Sequence, residues 1–218
     1  MKKILIFLTA ILVFLSCKDE CGDNNLSIDT CDRDSLIVIN ASSPDLQKFV
    51  IRNDTSSLYG FTNAIKSALD QGEIEWIGNN LISRLTSGEY YLQIPNYADS
   101  SWLGLEFWAY LRESLIIKFN PYYFEKQKIF DENSYNNSSS KNYARYFRWV
   151  DDYSDASWDI DLAEDSYIIV TKIDQNTKIA EGEFELYFKI KEQSKLPGIV
   201  YSNKVRFRCG KFKSKIFE

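Results

Sequence analysis

Apolar residues recur at every second position over much of the chain, and this period is its strongest structural signal. Phe184, Leu186, Phe188 and Ile190 alternate with Glu183, Glu185, Tyr187 and Lys189, as in an antiparallel strand with one wet face. Val205, Phe207 and Cys209 alternate with Lys204, Arg206 and Arg208. Residues 167–171 predict the strand before these two, and turn signals at 174–177 and at Pro197-Gly198 join the three into a meander. Upstream, Tyr90, Leu92 and Ile94 alternate until Pro95, where the run is expected to stop. Leu103, Leu105, Phe107 and Ala109 alternate with Trp102, Trp108 and Tyr110. Residues 36–39, 74–76, 81–85, 115–119 and 143–150 predict further strands. One helical stripe interrupts them: Phe61, Ile65, Ala68 and Leu69, with Thr62 as cap and Gly72 as stop, predict a short helix over 62–69. Residues 120–142 predict a long polar loop with a helical turn near 122–130, and 151–165 an acidic loop. Many strands without βαβ alternation predict a mainly β fold, a single antiparallel β-sandwich or barrel-like domain with one short helix.

The N-terminus follows a different pattern. Lys2 and Lys3 precede an apolar run from Ile4 to Leu15, and Leu15-Ser16-Cys17 follows. The run is too short to span a bilayer, which takes about 20 residues. It resembles a bacterial lipoprotein signal peptide ending in a lipobox, with Phe14 where leucine is usual. The resemblance implies cleavage between Ser16 and Cys17, lipid on Cys17, and a protein held on the outer membrane. Lys18-Asp19-Glu20 resembles the surface-export signal of Bacteroidetes lipoproteins, which implies display on the cell surface. Asp34-Ser35-Leu36 resembles the O-glycosylation sequon of the same group, which implies a glycan on Ser35. The expected organisation is a signal peptide over 1–16, a lipidated acidic tether over 17–35 and a β-rich domain over 36–218.

Composition narrows the chemistry. The 218 residues include no histidine, so Ser-His-Asp and Cys-His catalysis, histidine metal ligation and a histidine pH switch are excluded. Losing Lys2 and Lys3 with the signal peptide takes the formal net charge from −5 to −7, which disfavours a nucleic-acid partner. With Cys17 assigned to lipid, Cys21, Cys31 and Cys209 remain. Cys21 and Cys31 enclose a short polar loop and are the expected disulfide in an oxidising compartment. Cys209, in step with Val205 and Phe207, is expected as a small buried side chain; a Cys31–Cys209 link is an alternative that spacing does not decide. The cysteines are too few and too unevenly spaced for zinc, so no metal site and no cofactor is expected.

Four groups of residues carry candidate chemistry. Asp151, Asp152, Asp155, Asp159, Asp161, Glu164 and Asp165 form an acidic stretch that supplies the oxygens calcium needs, without EF-hand spacing; a solvated loop is the plainer reading. Trp102, Trp108, Trp149 and Trp158, with Tyr90, Tyr91, Tyr97 and Tyr110, contain the rings of a sugar-stacking platform or, more simply, of core and cross-strand pairs. Asp99, Glu106 and Glu113 are candidates for a carboxylate pair in glycoside hydrolysis, but nothing selects a pair. Lys204, Arg206, Arg208, Lys211, Lys213 and Lys215 read as the charged face of an edge strand that blocks aggregation, or as a contact for anionic head groups.

The C-terminal pattern carries one more resemblance. Ile168-Ile169-Val170-Thr171-Lys172-Ile173-Asp174, then Ile179-Ala180-Glu181-Gly182-Glu183-Phe184-Glu185-Leu186, then Gly210-Lys211-Phe212, is similar to the ending of an uncharacterised family of Bacteroidetes lipoproteins, with Leu186 where phenylalanine is commoner. The resemblance covers about 50 residues and brings no catalytic residue. The expected protein is therefore an outer-membrane lipoprotein. Its partners would be the lipid bilayer, through Cys17, and a glycan or protein ligand bound without catalysis. The alternatives are a carboxylate glycosidase and an inhibitor or immunity-type lipoprotein that docks on a protein.

Overall fold

The computed structural model describes residue 31 and residues 60–68, 72–97, 111–131, 141–150, 153–194 and 201–218. Within them lie β1 (Gly60–Ala68), β2 (Gly72–Asn79), β3 (Leu81–Arg84), β4 (Tyr90–Tyr97), β5 (Leu111–Phe119), β6 (Gln127–Lys128), β7 (Tyr143–Val150), β8 (Tyr153–Ile160), β9 (Tyr167–Asp174), β10 (Ile179–Gln193) and β11 (Lys204–Phe217). The fold is mainly β, and no helix occurs among the described residues. All strands join one sheet in the order β2-β1-β11-β3-β4-β5-β7-β8-β10-β9-β6. A further pairing of β10 with β11 closes β11-β3-β4-β5-β7-β8-β10 into a barrel. Every ladder is antiparallel except the short one that sets Ile216 against Ile82 and Phe217 against Ser83.

Two long strands make closure possible. β11 spans 14 residues and β10 spans 15. One edge of β11 takes β1 and then β3, while the other takes β10. β10 likewise divides its far edge between β9 and β8. A strand that outlasts its neighbour hands its free backbone groups to the next one, and the ring leaves no open edge at these corners.

Alternation fills the interior. Ala180, Phe184, Leu186 and Phe188 of β10 pack against Val205, Phe207, Phe212 and Ile216 of β11, Leu115, Ile117 and Phe119 of β5, and Tyr146 and Trp158. The centre is aromatic: ring centroids of Tyr146 lie 4.9 Å from Trp158 and 5.2 Å from Phe207, and Trp76 lies 4.9 Å from Phe207. The two Gly-x-Phe segments of the C-terminal pattern meet here. Gly182 opposes Phe212 and Phe184 opposes Gly210. A Cβ on Gly182 would stand 2.5 Å from the Phe212 ring, and one on Gly210 would stand 2.4 Å from the Phe184 ring. Each glycine is the space in which the opposite ring lies flat, a reciprocal arrangement that fixes register.

Several expectations change. The expected helix over 62–69 is β1 instead. Thr62, Ala64, Lys66 and Ala68 alternate along one face, and pairing with β2 and β11 on both sides outweighs local helical spacing. Pro95 does not end β4. It lies past Gln93, the last β4 residue opposite β3, so its missing N–H leaves no β3 acceptor unpaired. Much of the expected acidic loop is β8. The basic strand β11 is flanked on both sides rather than lying at an edge.

The cysteine pairing is also corrected. Cys31 is bonded to Cys209, across a sequence separation of 178, and so not to Cys21. The expectation failed because β11 is bulged: Phe184 opposes Gly210 while Leu186 opposes Phe207. One extra residue on β11 reverses the parity of the strand. Val205 and Phe207 face inward before the bulge, and Phe212, Ser214 and Ile216 do so after it. Cys209 sits in the irregularity at φ 52°, not on the buried face.

Candidate functional site

The barrel's two ends differ sharply. Glu113, near the start of β5, belongs to a charged interior. Lys66 Nζ lies 2.5 Å from Glu113 Oε1, both side chains are fully buried, and Trp76 Nε1 donates to Glu113 Oε2 at 2.8 Å. Lys66 Nζ also stands 5.2 Å from the Tyr146 ring centroid. Beside this pair, Arg148 Nε donates to Asp155 Oδ2 at 2.8 Å. Ser194 Oγ donates to Asp155 Oδ1 at 2.7 Å, and the Tyr201 hydroxyl donates to the same oxygen. The Arg148 guanidinium lies 4.6 Å from the Tyr201 ring centroid. Each acid faces a cation and accepts further hydrogen bonds, which is the condition under which buried charges are tolerated. This arrangement ties strands together through their interior faces.

At the opposite end, the chain leaving β5 forms a tight loop whose backbone is held from inside. Gln127, 4 % exposed, accepts from the Asn120 backbone N–H at 2.9 Å and donates to the carbonyls of Asn120 at 2.8 Å and Tyr123 at 3.0 Å. The Asn120 side chain accepts from the Tyr122 N–H at 3.0 Å, an Asx turn with Pro121 in the position where its fixed φ helps. The loop presents Tyr122, Tyr123 and Phe124, which are 37 %, 45 % and 54 % exposed. The Tyr122 hydroxyl donates to Glu218 Oε1 at 2.9 Å, and its ring stands edge-on to Tyr90 at 5.7 Å. The Tyr123 hydroxyl donates to Glu125. Burial and the Glu218 bond raise the Tyr122 hydroxyl above the usual phenol range, and the Glu125 bond raises that of Tyr123. Both therefore remain neutral donors near pH 7, with each ring fixed by its own polar tip.

The other candidate residues disperse. Trp158 is buried in the core and Tyr91 is largely buried. Trp149 is half-buried beneath the Arg112 guanidinium. Trp102, Trp108 and Tyr110 lie outside the described residues, as does the side chain of Tyr97, so the described members of that set form no exposed platform. The exposed rings of residues 122–124 were missed because they fall in a stretch without periodicity. Three consecutive aromatic residues directly after Asn120-Pro121 were the available signal.

The acidic stretch is divided among separate cations. Asp155 meets Arg148, Asp159 meets Lys191 at 2.9 Å, Asp161 meets Lys204 at 2.9 Å and Asp165 meets Lys126 at 2.6 Å. Asp151 and Asp152 lie outside the described residues. Among the described residues no three metal-ligating side chains converge. The Lys204 hydrogen bond holds the Asp161 carboxyl below its usual range, Lys126 does the same for Asp165, and Lys118 for Glu89. Burial pushes Glu185 up, but bonds from Arg206 and Tyr187 outweigh it and the net displacement is downward. A glycosidase acid requires the opposite displacement. Asp99 and Glu106 lie outside the described residues, and Glu113 is consumed by Lys66.

A shallow cleft of about 320 Å³ lies on the outer wall between Asp161, Glu164, Tyr187, Lys204 and Arg206, over Phe188. Lys204 pairs with Asp161 and Arg206 with Glu185, and Arg206 lies 4.7 Å above the Tyr187 ring. Along the outward face of β11, Lys213 stands opposite Glu181 and Lys211 opposite Glu183, whereas Lys204 stands opposite Lys189 and Lys215 opposite Ile179. Cys17, Cys21, Lys18-Asp19-Glu20 and Ser35 lie outside the described residues.

Comparisons with protein-family models, with curated proteins and with solved structures found no match.

Proposed function

We propose that the chain is an outer-membrane lipoprotein, anchored through Cys17, whose barrel is a non-enzymatic binding module. The observation that carries the binding reading is the 120–127 loop. A buried glutamine and an Asx turn hold three aromatic side chains in water. Full burial of such a side chain contributes about 1.5–3 kcal/mol, and Tyr123 and Phe124 forgo roughly half of it. The fold gains nothing from that exposure, whereas a binding partner gains a rigid apolar anchor at low ordering cost.

The location rests on the N-terminal pattern and has support from the Cys31–Cys209 disulfide, a bond that persists in oxidising compartments. Lys18-Asp19-Glu20 favours the outward face of the membrane. The reading also includes kinship with the uncharacterised lipoproteins, whose paired Gly-x-Phe segments have a packing rationale in Gly182–Phe212 and Phe184–Gly210.

Two experiments test it. Cys17→Ser should move the protein from membrane to soluble fractions; unchanged membrane attachment would refute the anchor. Immobilised residues 18–218 should retain a ligand from solubilised cell-envelope or host-glycan fractions and release it chemically unaltered. Cleavage of the retained material would overturn the non-enzymatic assignment.

A further inference from the structure

Resting on that reading, the geometry points to a carbohydrate chain as the ligand of the 120–127 loop, with Tyr123 and Phe124 as the stacking residues. Size argues first. Aromatic side chains of about 200 Å² each, at the exposures of Tyr122, Tyr123 and Phe124, present roughly 300 Å² between them. That footprint matches one or two sugar rings, whose C–H faces lie flat on aromatic faces.

The polar setting argues second. The rings are bordered by carboxylates: Glu125 at the Tyr123 hydroxyl and Glu218 at the Tyr122 hydroxyl. Carboxylates are strong acceptors for the many O–H donors of a saccharide. Like charge makes the same border unfavourable for an anionic membrane surface. The nearest loop lysine, Lys126, is committed to Asp165 at 2.6 Å and lies 4.2 Å from the Tyr167 ring centroid.

Rigidity argues third. Because Gln127 and Asn120 fix the backbone, and the hydroxyls fix Tyr122 and Tyr123, little ordering cost remains for a flexible polymer to offset. Phe124, the most exposed of the six large apolar side chains exposed among the described residues, presents its ring to a sugar face.

The test is affinity electrophoresis of residues 18–218 in gels containing laminarin, xylan, mannan, dextran or chondroitin sulfate, with a solubilised envelope-protein fraction as a separate arm. At least one neutral polysaccharide should retard the protein. Phe124→Ala and Tyr123→Ala should weaken that retardation at least tenfold, while Phe61→Ala, an exposed aromatic on β1, should leave it unchanged. Thermal unfolding of all three variants should match the parent, so a loss of binding cannot be a loss of fold. No retardation by any polysaccharide overturns the carbohydrate assignment. Retardation that survives both loop substitutions overturns the site. Loop-dependent capture of an envelope protein, with no polysaccharide effect, would reject the carbohydrate and keep the binding-module reading. Failure in both arms would reject both.

Discussion

The barrel encloses two fully buried ion pairs where β5 begins and exposes aromatic rings where β5 ends. Where β5 begins, Lys66, Glu113, Arg148 and Asp155 are enclosed, and each is matched by an opposite charge. Where β5 ends, Tyr122, Tyr123 and Phe124 face water on a braced loop. Both ends depart from the ordinary placement of side chains, but for different reasons. The buried charges are paired with opposite charges on neighbouring strands, so their role is to specify how β1, β2, β5, β7 and β8 meet. The exposed rings are positioned by their neighbours, and those of Tyr123 and Phe124 are left about half uncovered. The lesson is that an unusual residue indicates function only when its surroundings leave its interaction capacity unused.

This contrast can be broken from either side. The largest effect should come from the charged end. Glu113→Ala leaves Lys66 charged and buried and removes the acceptor of the Trp76 indole, and should cost about 3–5 kcal/mol in urea unfolding. The double change Lys66→Met, Glu113→Leu should recover part of the loss, because an apolar pair has no desolvation penalty while the Trp76 indole still lacks its acceptor. If both variants were equally destabilised, the pair would be contributing specific packing rather than balanced charge.

Next comes the cross-link. Cys209→Ser opens a loop spanning 178 positions and should cost about 2–5 kcal/mol, read as a lower unfolding midpoint in the non-reduced protein. Reducing the parent with dithiothreitol should reproduce it. Gly210→Ala should follow at about 1–3 kcal/mol, since its Cβ meets the Phe184 ring. The penalty should shrink in a Phe184→Leu background if that ring is the cause.

The charged outer wall should respond mildly to pH. Burial and the Glu185 carboxylate push the Tyr187 hydroxyl up to about 12, above its ordinary value near 10. A raised folded pKa means that its contribution is complete below pH 10 and fades between about 10 and 12. Absorbance at 295 nm should show one fewer late-ionising tyrosine in Tyr187→Phe than in the parent. Asp161 and Glu181 are displaced the other way by Lys204 and Lys213. Their contributions are present at neutral pH and disappear as pH falls through their lowered values. The smallest stability effect, within about 0.5 kcal/mol, should come from Phe124→Ala.

Much of this architecture was legible in the chain. The alternation of 184–190 gave β10 its inward face, and 90–94 gave β4 its own. The strand β1 was misread because Phe61, Ile65, Ala68 and Leu69 also satisfy helical spacing; only its partners on both sides decide the matter, and they are distant in sequence. Cys209 was misplaced for a related reason, since a single-residue bulge reverses facing without changing composition. The exclusion of histidine chemistry was complete from composition alone. The braced aromatic loop was not legible, because what marks it is the pairing of exposed rings with a buried Gln127, and no local pattern encodes that brace.

The most direct test of the account is affinity electrophoresis of Phe124→Ala beside the parent in the polysaccharide gel that retards the parent most. The account predicts that the variant migrates nearly as it does without polysaccharide while its unfolding midpoint stays unchanged. Equal retardation of variant and parent would contradict it.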